Sequence, residues 1–281
     1  MEKILIFGHK SPDTDSITSS LVMENFEKKL GNDNVKACRL GEINKETQYV
    51  LNYLGIEAPE LISDVEDGQD VILVDHNSFL QTVPNIEKAN ILKVIDHHCI
   101  SDFCIKYPTY VRTEAIGCTE SILYKLYKEN NVEIDKKIAT LMLSAIISDT
   151  LLFKSPTCTK EDIEIANELA KIAELDANTY GLDMLKAGTD LTGFSAKDIL
   201  FIDAKETSLK DVKSIIAQVN TACIDDVMKF KTDLEAEMNK IIEEKDLGLF
   251  VLAITDIINS NSQAIVLGKR ADIVEKSYNV T

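Results

Sequence analysis

The four histidines of this 281-residue chain stand at the ends of apolar runs. His9 follows Ile4-Leu5-Ile6-Phe7-Gly8, His76 follows Val71-Ile72-Leu73-Val74-Asp75, and His97 and His98 follow Ile91-Leu92-Lys93-Val94-Ile95-Asp96. Aspartates accompany each: Asp13 and Asp15 after the first run, Asp75 at the second, Asp96 at the third. Imidazole with carboxylate is a donor set for divalent metals. Asp149 adds a carboxylate at the end of the apolar stretch 138–147, where the negative end of a helix dipole demands a cation. Taken singly, Asp13-Thr14-Asp15 reads equally as a capped turn, Asp75 as a turn residue and Asp149 as a solvated helix end. Brought together they repel: two like charges about 4 Å apart cost about 4 kcal/mol at an effective dielectric near 20. Several such terms approach the roughly 5–15 kcal/mol by which a domain is stable. Two divalent ions would neutralise them. Mixed imidazole and carboxylate ligation suits Mn²⁺, Co²⁺ or Zn²⁺ better than Mg²⁺ alone, and a two-metal site activates water and clamps a phosphoryl group.

The elements that must position these groups are strands and helices in alternation. Residues 3–7, 35–40, 70–75 and 91–95 are β-branched, nearly continuous apolar runs, which suit a parallel sheet buried on both faces. Residues 15–30 predict a helix with Leu21, Val22, Phe26 and Leu30 on one face. Further helices are expected over 46–54, 119–130, 135–148, 160–173 and 176–187, the fourth of these capped by Thr159. In open α/β sheets ligands bind beyond the carboxyl ends of the strands, where His9, Asp75 and Asp96-His97-His98 all stand. The small polar residues and two glycines around 188–194 read as a linker. It separates a first domain, 1–187, from a smaller one, 195–281. In the second domain, strands are expected over 199–204, 212–219, 248–255 and 263–268, with a long helix over 224–244. The fold class is α/β, a parallel sheet flanked by helices followed by a mixed α/β lobe.

A net charge of −17 without a dense Lys/Arg stripe argues against nucleic-acid partners. The absence of an apolar run of about 18 residues argues against a membrane span. The start Met1-Glu2-Lys3 leads straight into a strand, so no signal peptide is expected. The six cysteines, Cys38, Cys99, Cys104, Cys118, Cys158 and Cys223, form no CxxC pair and suit reduced thiols in the cytoplasm.

Gly8-His9 through Asp13-Thr14-Asp15, Asp75-His76-Asn77, Asp96-His97-His98 and Ser144 to Asp149 together resemble the four motifs of the DHH phosphoesterase superfamily. The segments 141–159 and Ile116-Gly117-Cys118-Thr119 resemble the family II, manganese-dependent inorganic pyrophosphatases. The resemblance covers essentially the whole chain and implies hydrolysis of pyrophosphate to two phosphates. It implies that His9, Asp13 and Asp75 hold one metal, that Asp15, Asp75, His97 and Asp149 hold the second, and that Asp75 bridges them. His98 would contact pyrophosphate, with His98, Asp75 and Asp149 the catalytic set. Asp96 would orient the histidines, and His76 would support them. Lys205 matches a substrate-binding lysine of a DHHA2-type second domain. Two Mn²⁺ or Co²⁺ per subunit, additional Mg²⁺ with the substrate, a metal-bridging water or hydroxide as nucleophile and a homodimer are likewise implied.

One departure from the family pattern carries an expectation. Members have Ser-Arg-Lys-Lys-Gln near the C-terminus, and no such segment occurs here, Gly268-Lys269-Arg270 standing in a different context. Metal binding with weak hydrolysis is therefore expected. A DHH phosphodiesterase acting on short oligonucleotides or cyclic dinucleotides is the competing enzyme class. It is disfavoured by the lack of a Gly-Gly-Gly-His motif and of any histidine after His98. A polyphosphatase and a non-catalytic metal-binding short form are the remaining alternatives.

Overall fold

The computed structural model describes residues 3–102, 104–209 and 211–278. The end of the chain, Asn279-Val280-Thr281, lies outside them. The chain divides into two compact units, Met1–Gly188 and Thr189–Thr281.

The first unit is built on a parallel six-stranded sheet. Its strands are β1 (Ile4–Phe7), β2 (Val35–Arg39), β3 (Glu60–Leu61), β4 (Asp70–Val74), β5 (Asn90–Asp96) and β6 (Tyr110–Thr113), in the order β3-β2-β1-β4-β5-β6. Every pairing is parallel. Val71 to Val74, Ile6, Phe7 and Ile95 are buried, which is why these runs lack polar alternation. The helices are α1 (Thr14–Lys29), α2 (Lys45–Leu54), α3 (Thr119–Glu129), α4 (Lys136–Asp149), α5 (Lys160–Ala173) and α6 (Ala177–Gly188). Helices α1 and α3 lie against the sheet, and α4 packs on α1, α3 and α5. The nearly all-apolar α4 is thereby enclosed. The connection between β4 and β5 contains two single 3₁₀ turns, Phe79–Gln81 and Ile86–Lys88. Val65, Val83 and Ile86 pack there against Phe7, Val71, Leu73 and Val94.

The strand order reverses direction between β1 and β4, so a crevice is expected at the carboxyl ends of that pair. The register makes those ends level. Phe7 pairs with Leu73 and Val74 with Ile95, so His9, Asp75 and Asp96-His97 leave the sheet side by side.

The second unit has a four-stranded mixed sheet. It contains β7 (Asp203–Leu209), β8 (Val212–Thr221), β9 (Leu249–Asp256) and β10 (Asn261–Leu267) in the order β10-β9-β8-β7, with β8 and β9 parallel and the outer pairs antiparallel. Its other elements are α7 (Ala196–Leu200), α8 (Ile224–Met228), α9 (Lys231–Lys245) and α10 (Asp272–Tyr278). Ile199, Leu200, Ile215, Val219, Leu234, Met238 and Leu252 form its core, which also takes in Leu191 from the segment read as a linker.

Two expectations fail here. The run 199–204 is not one strand. Ser195 and Asp198 form a capping box that starts helix α7, and the strand begins only at Asp203. The helix expected over 224–244 is two helices, interrupted at Lys229 and Phe230, where Phe230 packs on the core. The edge strands β3 and β6 and helix α10 escape sequence patterning because they are short and largely exposed or half-buried.

Candidate metal centre

Gly8 lets the chain leave β1 directly under helix α1. A Cβ at Gly8 would lie 1.9 Å from Ser16 Oγ, so no larger residue fits without moving the helix. Asp13 then caps α1, its carboxylate accepting the Ser16 N–H at 2.9 Å. Between them His9 turns inward. Its Nδ1 lies 2.6 Å from Lys10 O, which makes Nδ1 the protonated nitrogen and frees Nε2 as a ligand. His9 Nε2 lies 3.4 Å from both Asp13 Oδ2 and Asp75 Oδ2.

Asp75 occupies the strand end with a left-handed backbone, φ 58°. A non-glycine residue is strained there, and such strain persists where surrounding structure enforces it. The Asp75 N–H donates to Ile95 O at 2.9 Å, which holds the turn. Asp75 Oδ1 accepts the Thr119 hydroxyl at 3.2 Å, while its buried Oδ2 makes no hydrogen bond.

His97 repeats the arrangement of His9. Its Nδ1 lies 3.1 Å from Ile116 O, and its Nε2 lies 3.6 Å from Asp75 Oδ1 and 3.8 Å from Asp149 Oδ2. Asp149 is the last residue of α4, and its buried Oδ2 also makes no hydrogen bond. Asp15 is fully buried and receives the Ser19 hydroxyl and the Thr119 N–H, each at 2.8 Å. Directly after Asp149 the chain makes a left-handed turn: Leu151, Leu152 and Phe153 have φ of 47°, 53° and 66°. Gly181 accommodates it, since a Cβ there would lie 2.8 Å from Leu152 Cδ1. The Thr150, Leu152 and Leu151 N–H groups donate to Ile146 O, Ile147 O and Ser148 O at 3.1, 2.9 and 3.1 Å, so the turn satisfies carbonyls in the last turn of α4.

Three sets of ligand atoms each fall within 4.8 Å of one another: His9, Asp13 and Asp75; Asp15, His97 and Asp149; and Asp75, His97 and His98. The protonation pattern is that of a cluster short of positive charge. Burial, then the charges of Asp15 and Asp13, push Asp75 and Asp149 well above the usual carboxylate range. Burial alone would lower His9, but its hydrogen bond to Asp13 and the charges of Asp13 and Asp75 outweigh it and raise His9 to about 9. Asp13 is held low in turn, His9 overcoming the effect of burial. Orphaned buried oxygens on Asp75 and Asp149, with imidazole nitrogens turned towards them, fit divalent cations in place of these protons.

The DHH family N-terminal domain model matches residues 3–146 and the DHHA2 domain model residues 182–281. A Bacillus subtilis (strain 168) protein named manganese-dependent inorganic pyrophosphatase is 52% identical over 282 residues, covering 100% of this chain and 91% of that relative. The chain belongs to the manganese-dependent inorganic pyrophosphatase family. A Bacillus velezensis protein, "Probable manganese-dependent inorganic pyrophosphatase", is 53% identical with the same coverage. A crystal structure of a Methanococcus jannaschii protein provisionally assigned as a family II inorganic pyrophosphatase superposes with a TM-score of 0.73. It is 33% identical and covers 99% of this chain and 91% of its own. A Bacteroides fragilis exopolyphosphatase-related protein, 19% identical with a TM-score of 0.55 over 95% of this chain and 80% of its own, shares the fold.

Within this pyrophosphatase-family chain the remaining residues singled out from sequence take separate positions. Asp96 accepts the His98 N–H at 3.0 Å, lies 2.8 Å from His98 Nδ1, and accepts the Asn77 amide. His98 is thereby steered with Nε2 left open, and its side chain is about half exposed, at 47%. His76 lies apart from the ligand sets. It is buried, stacks on Phe7 at 6.4 Å, and places Nδ1 2.8 Å from Val74 O, and burial lowers its pKa to about 4. Lys205 belongs to the second unit, on the open face of β7, where it lines a cleft of about 450 Å³ with Asp203, Thr207, Ile216 and Gln218. Sequence reasoning quoted Asn77 and Thr119 within motifs but gave them no role, and it passed over Ser19. Small polar residues of this kind are common at caps, and only their aim distinguishes these. All six cysteines are free, and among the described residues no helix is long and apolar enough to cross a membrane.

Proposed function

We propose that this chain hydrolyses inorganic pyrophosphate to two phosphates by a two-metal mechanism in which Asp75 is shared. The observation that carries the reading is the position of Asp75: its buried carboxylate shares one ligand set with His9 and Asp13 and another with His97 and His98, and it has an oxygen without a hydrogen bond. The names of the relatives at 52–53% identity support the substrate and manganese.

In this reading His9, Asp13 and Asp75 hold one cation, and Asp15, Asp75, His97 and Asp149 hold the other. When bound, the pair supplies Lewis acidity that acidifies water near neutral pH and offsets charge on phosphoryl oxygens during in-line displacement. The chain's own residues do the rest. Lys10 O and Ile116 O fix the tautomers of His9 and His97 so that each presents Nε2. The Thr119 N–H and Ser19 hydroxyl hold Asp15, and the Thr119 hydroxyl holds Asp75. Asp96 holds His98 through Nδ1, which orients the ring and leaves Nε2 open to contact substrate. Lys205 supplies a second cationic contact to substrate, and His76 braces the β4 end. The donor set also accepts Co²⁺, with additional Mg²⁺ arriving as the substrate complex.

A homodimer belongs to the same reading. It is supported by the outer edge of β6, where Tyr110 and Val111 are 47% and 51% exposed; mass by light scattering tests it. Free cysteines support a reducing cytoplasm.

The test is phosphate release from pyrophosphate with Mn²⁺, with and without chelator, on this chain and on Asp149→Asn, with Mn²⁺ binding followed by calorimetry. Release that needs Mn²⁺ and disappears in Asp149→Asn is expected. Release indifferent to chelator, or no Mn²⁺ binding at all, would refute the proposal.

A further inference from the structure

Glu46 stands outside every ligand set, yet it is bonded to two of the elements that carry them. It lies in the first turn of α2, which Asn44 caps by accepting the Thr47 N–H at 2.7 Å. Its Oε1 accepts the Thr14 hydroxyl at 2.7 Å and also the Ser148 hydroxyl. Thr14 opens α1 between Asp13 and Asp15, and Ser148 precedes Asp149 in the last turn of α4. A single oxygen therefore ties the beginning of α1 to the end of α4, and three of the proposed carboxylate ligands are direct chain neighbours of the two hydroxyls it holds.

A third element confines the same side chain. Gly188 closes α6, and a Cβ there would come 2.9 Å from Glu46 Cβ and 3.0 Å from its Oε2. The glycine leaves Glu46 its space, and any side chain at 188 would push it. Among the described residues no candidate metal group includes Glu46, so its contribution runs through the two hydroxyls.

We infer that Glu46 is a positioning residue that sets the spacing of Asp13 and Asp15 from Asp149, and with it the affinity for the metal pair. The inference rests on the metal-binding reading above. Changing a direct partner of a metal ligand typically weakens binding about 10–100-fold, and Glu46, one bond further out, is expected to contribute at the lower end of that range or below.

The experiment titrates Mn²⁺ into the metal-free full chain and its variants by calorimetry, with the EPR line shape of bound Mn²⁺ as a second readout. Glu46→Ala is expected to weaken Mn²⁺ binding by up to about 10-fold and to broaden the EPR signal. Glu46→Gln should restore most of the affinity, because its amide oxygen still accepts both hydroxyls. Ser148→Ala should weaken binding several-fold alone and add little to Glu46→Ala, since the two share one interaction. Gly188→Ala, which touches neither hydroxyl, should also weaken binding. Leu169→Ala opens a cavity in the buried face of α5 and should lower thermal stability while leaving Mn²⁺ affinity unchanged. Wild-type affinity in Glu46→Ala would overturn the inference, as would equal losses in Glu46→Gln and Glu46→Ala, or the same loss in Leu169→Ala. No Mn²⁺ binding by the wild type would overturn the underlying reading, and this inference with it.

Discussion

In the first unit the charged groups come from strand and helix ends and are held by the backbone. Asp15, Asp75 and Asp96 are at most 1% exposed, and each accepts at least one hydrogen bond that fixes its direction. In the second unit Lys205 stands on the face of an outer strand, β7, most of whose residues are exposed. The contrast separates two ways of handling charge. Buried carboxylates that repel one another must be locked before a cation arrives, because a few tenths of an ångström decide whether they bind it. For the substrate contact proposed for Lys205, reach matters more than rigidity, and a flexible stem on an open face provides it.

Substitutions can break or sharpen this contrast. The largest effect is expected at Asp75→Asn. Asparagine tolerates a positive φ, so the turn should survive. Mn²⁺ affinity should nonetheless fall beyond the roughly 10–100-fold typical of outer partners, as calorimetry would show. Near-native affinity in this variant would remove Asp75 from the centre. Lys205→Met comes next. Loss of a charge-assisted hydrogen bond of about 1.5–3 kcal/mol predicts roughly a 10–150-fold drop in kcat/KM. Mn²⁺ affinity should stay unchanged, and a change in it would erase the division of labour between the units.

A smaller effect is expected from pH on the metal-free protein. Asp75 and Asp149 have raised folded-state values, so the stability they contribute is present below the unfolded carboxylate range and lost as pH rises. His9, raised to about 9, contributes below its unfolded value and loses that contribution as pH climbs through 9. Asp13 and Asp96 are lowered and act in the opposite window, losing their contribution on acidification. Thermal unfolding with chelator should therefore show the melting temperature falling between about pH 6.5 and 9, and saturating Mn²⁺ should abolish most of that fall. A flat profile would mean that the cluster is not strained by its own charge. The smallest change is expected for Thr119→Val. It removes the 3.2 Å bond to Asp75 but keeps the N–H to Asp15. A loss of about 0.5–1.5 kcal/mol predicts a few-fold weaker Mn²⁺ binding.

How far the sequence alone reaches follows from the same contrast. The runs at 71–74 and 91–95 declare themselves because parallel strands buried on both faces leave no polar alternation, and the histidines at their ends are conspicuous for that reason. Residue patterning alone does not tell which histidine does what; the roles come from the family resemblance. His76 and His97 each directly follow an aspartate at a strand end, and only the positive φ of Asp75 and the carbonyls of Val74 and Ile116 send one ring into the core and the other towards Asp149. In the second unit the capping box at Ser195 looks like any polar pair beside an apolar run, so a helix was hidden where Ile199 to Ile202 suggested a strand. Glu46 illustrates a further limit, since a glutamate in a helical first turn carries no mark of a bond made 102 residues away.

The left-handed turn after Asp149 has a consequence for how the molecule comes apart. A backbone of that hand disfavours each non-glycine residue by about 1–2 kcal/mol, so the stretch from Leu151 to Phe153 stores conformational tension at the very end of a helix whose final carboxylate points against its own dipole. If Asp149 holds a cation as proposed, removal of that cation should loosen this segment first. Local fraying there is the expected first step of unfolding once metal is removed, to be seen as fast amide hydrogen exchange over 150–155 while α4's interior stays protected.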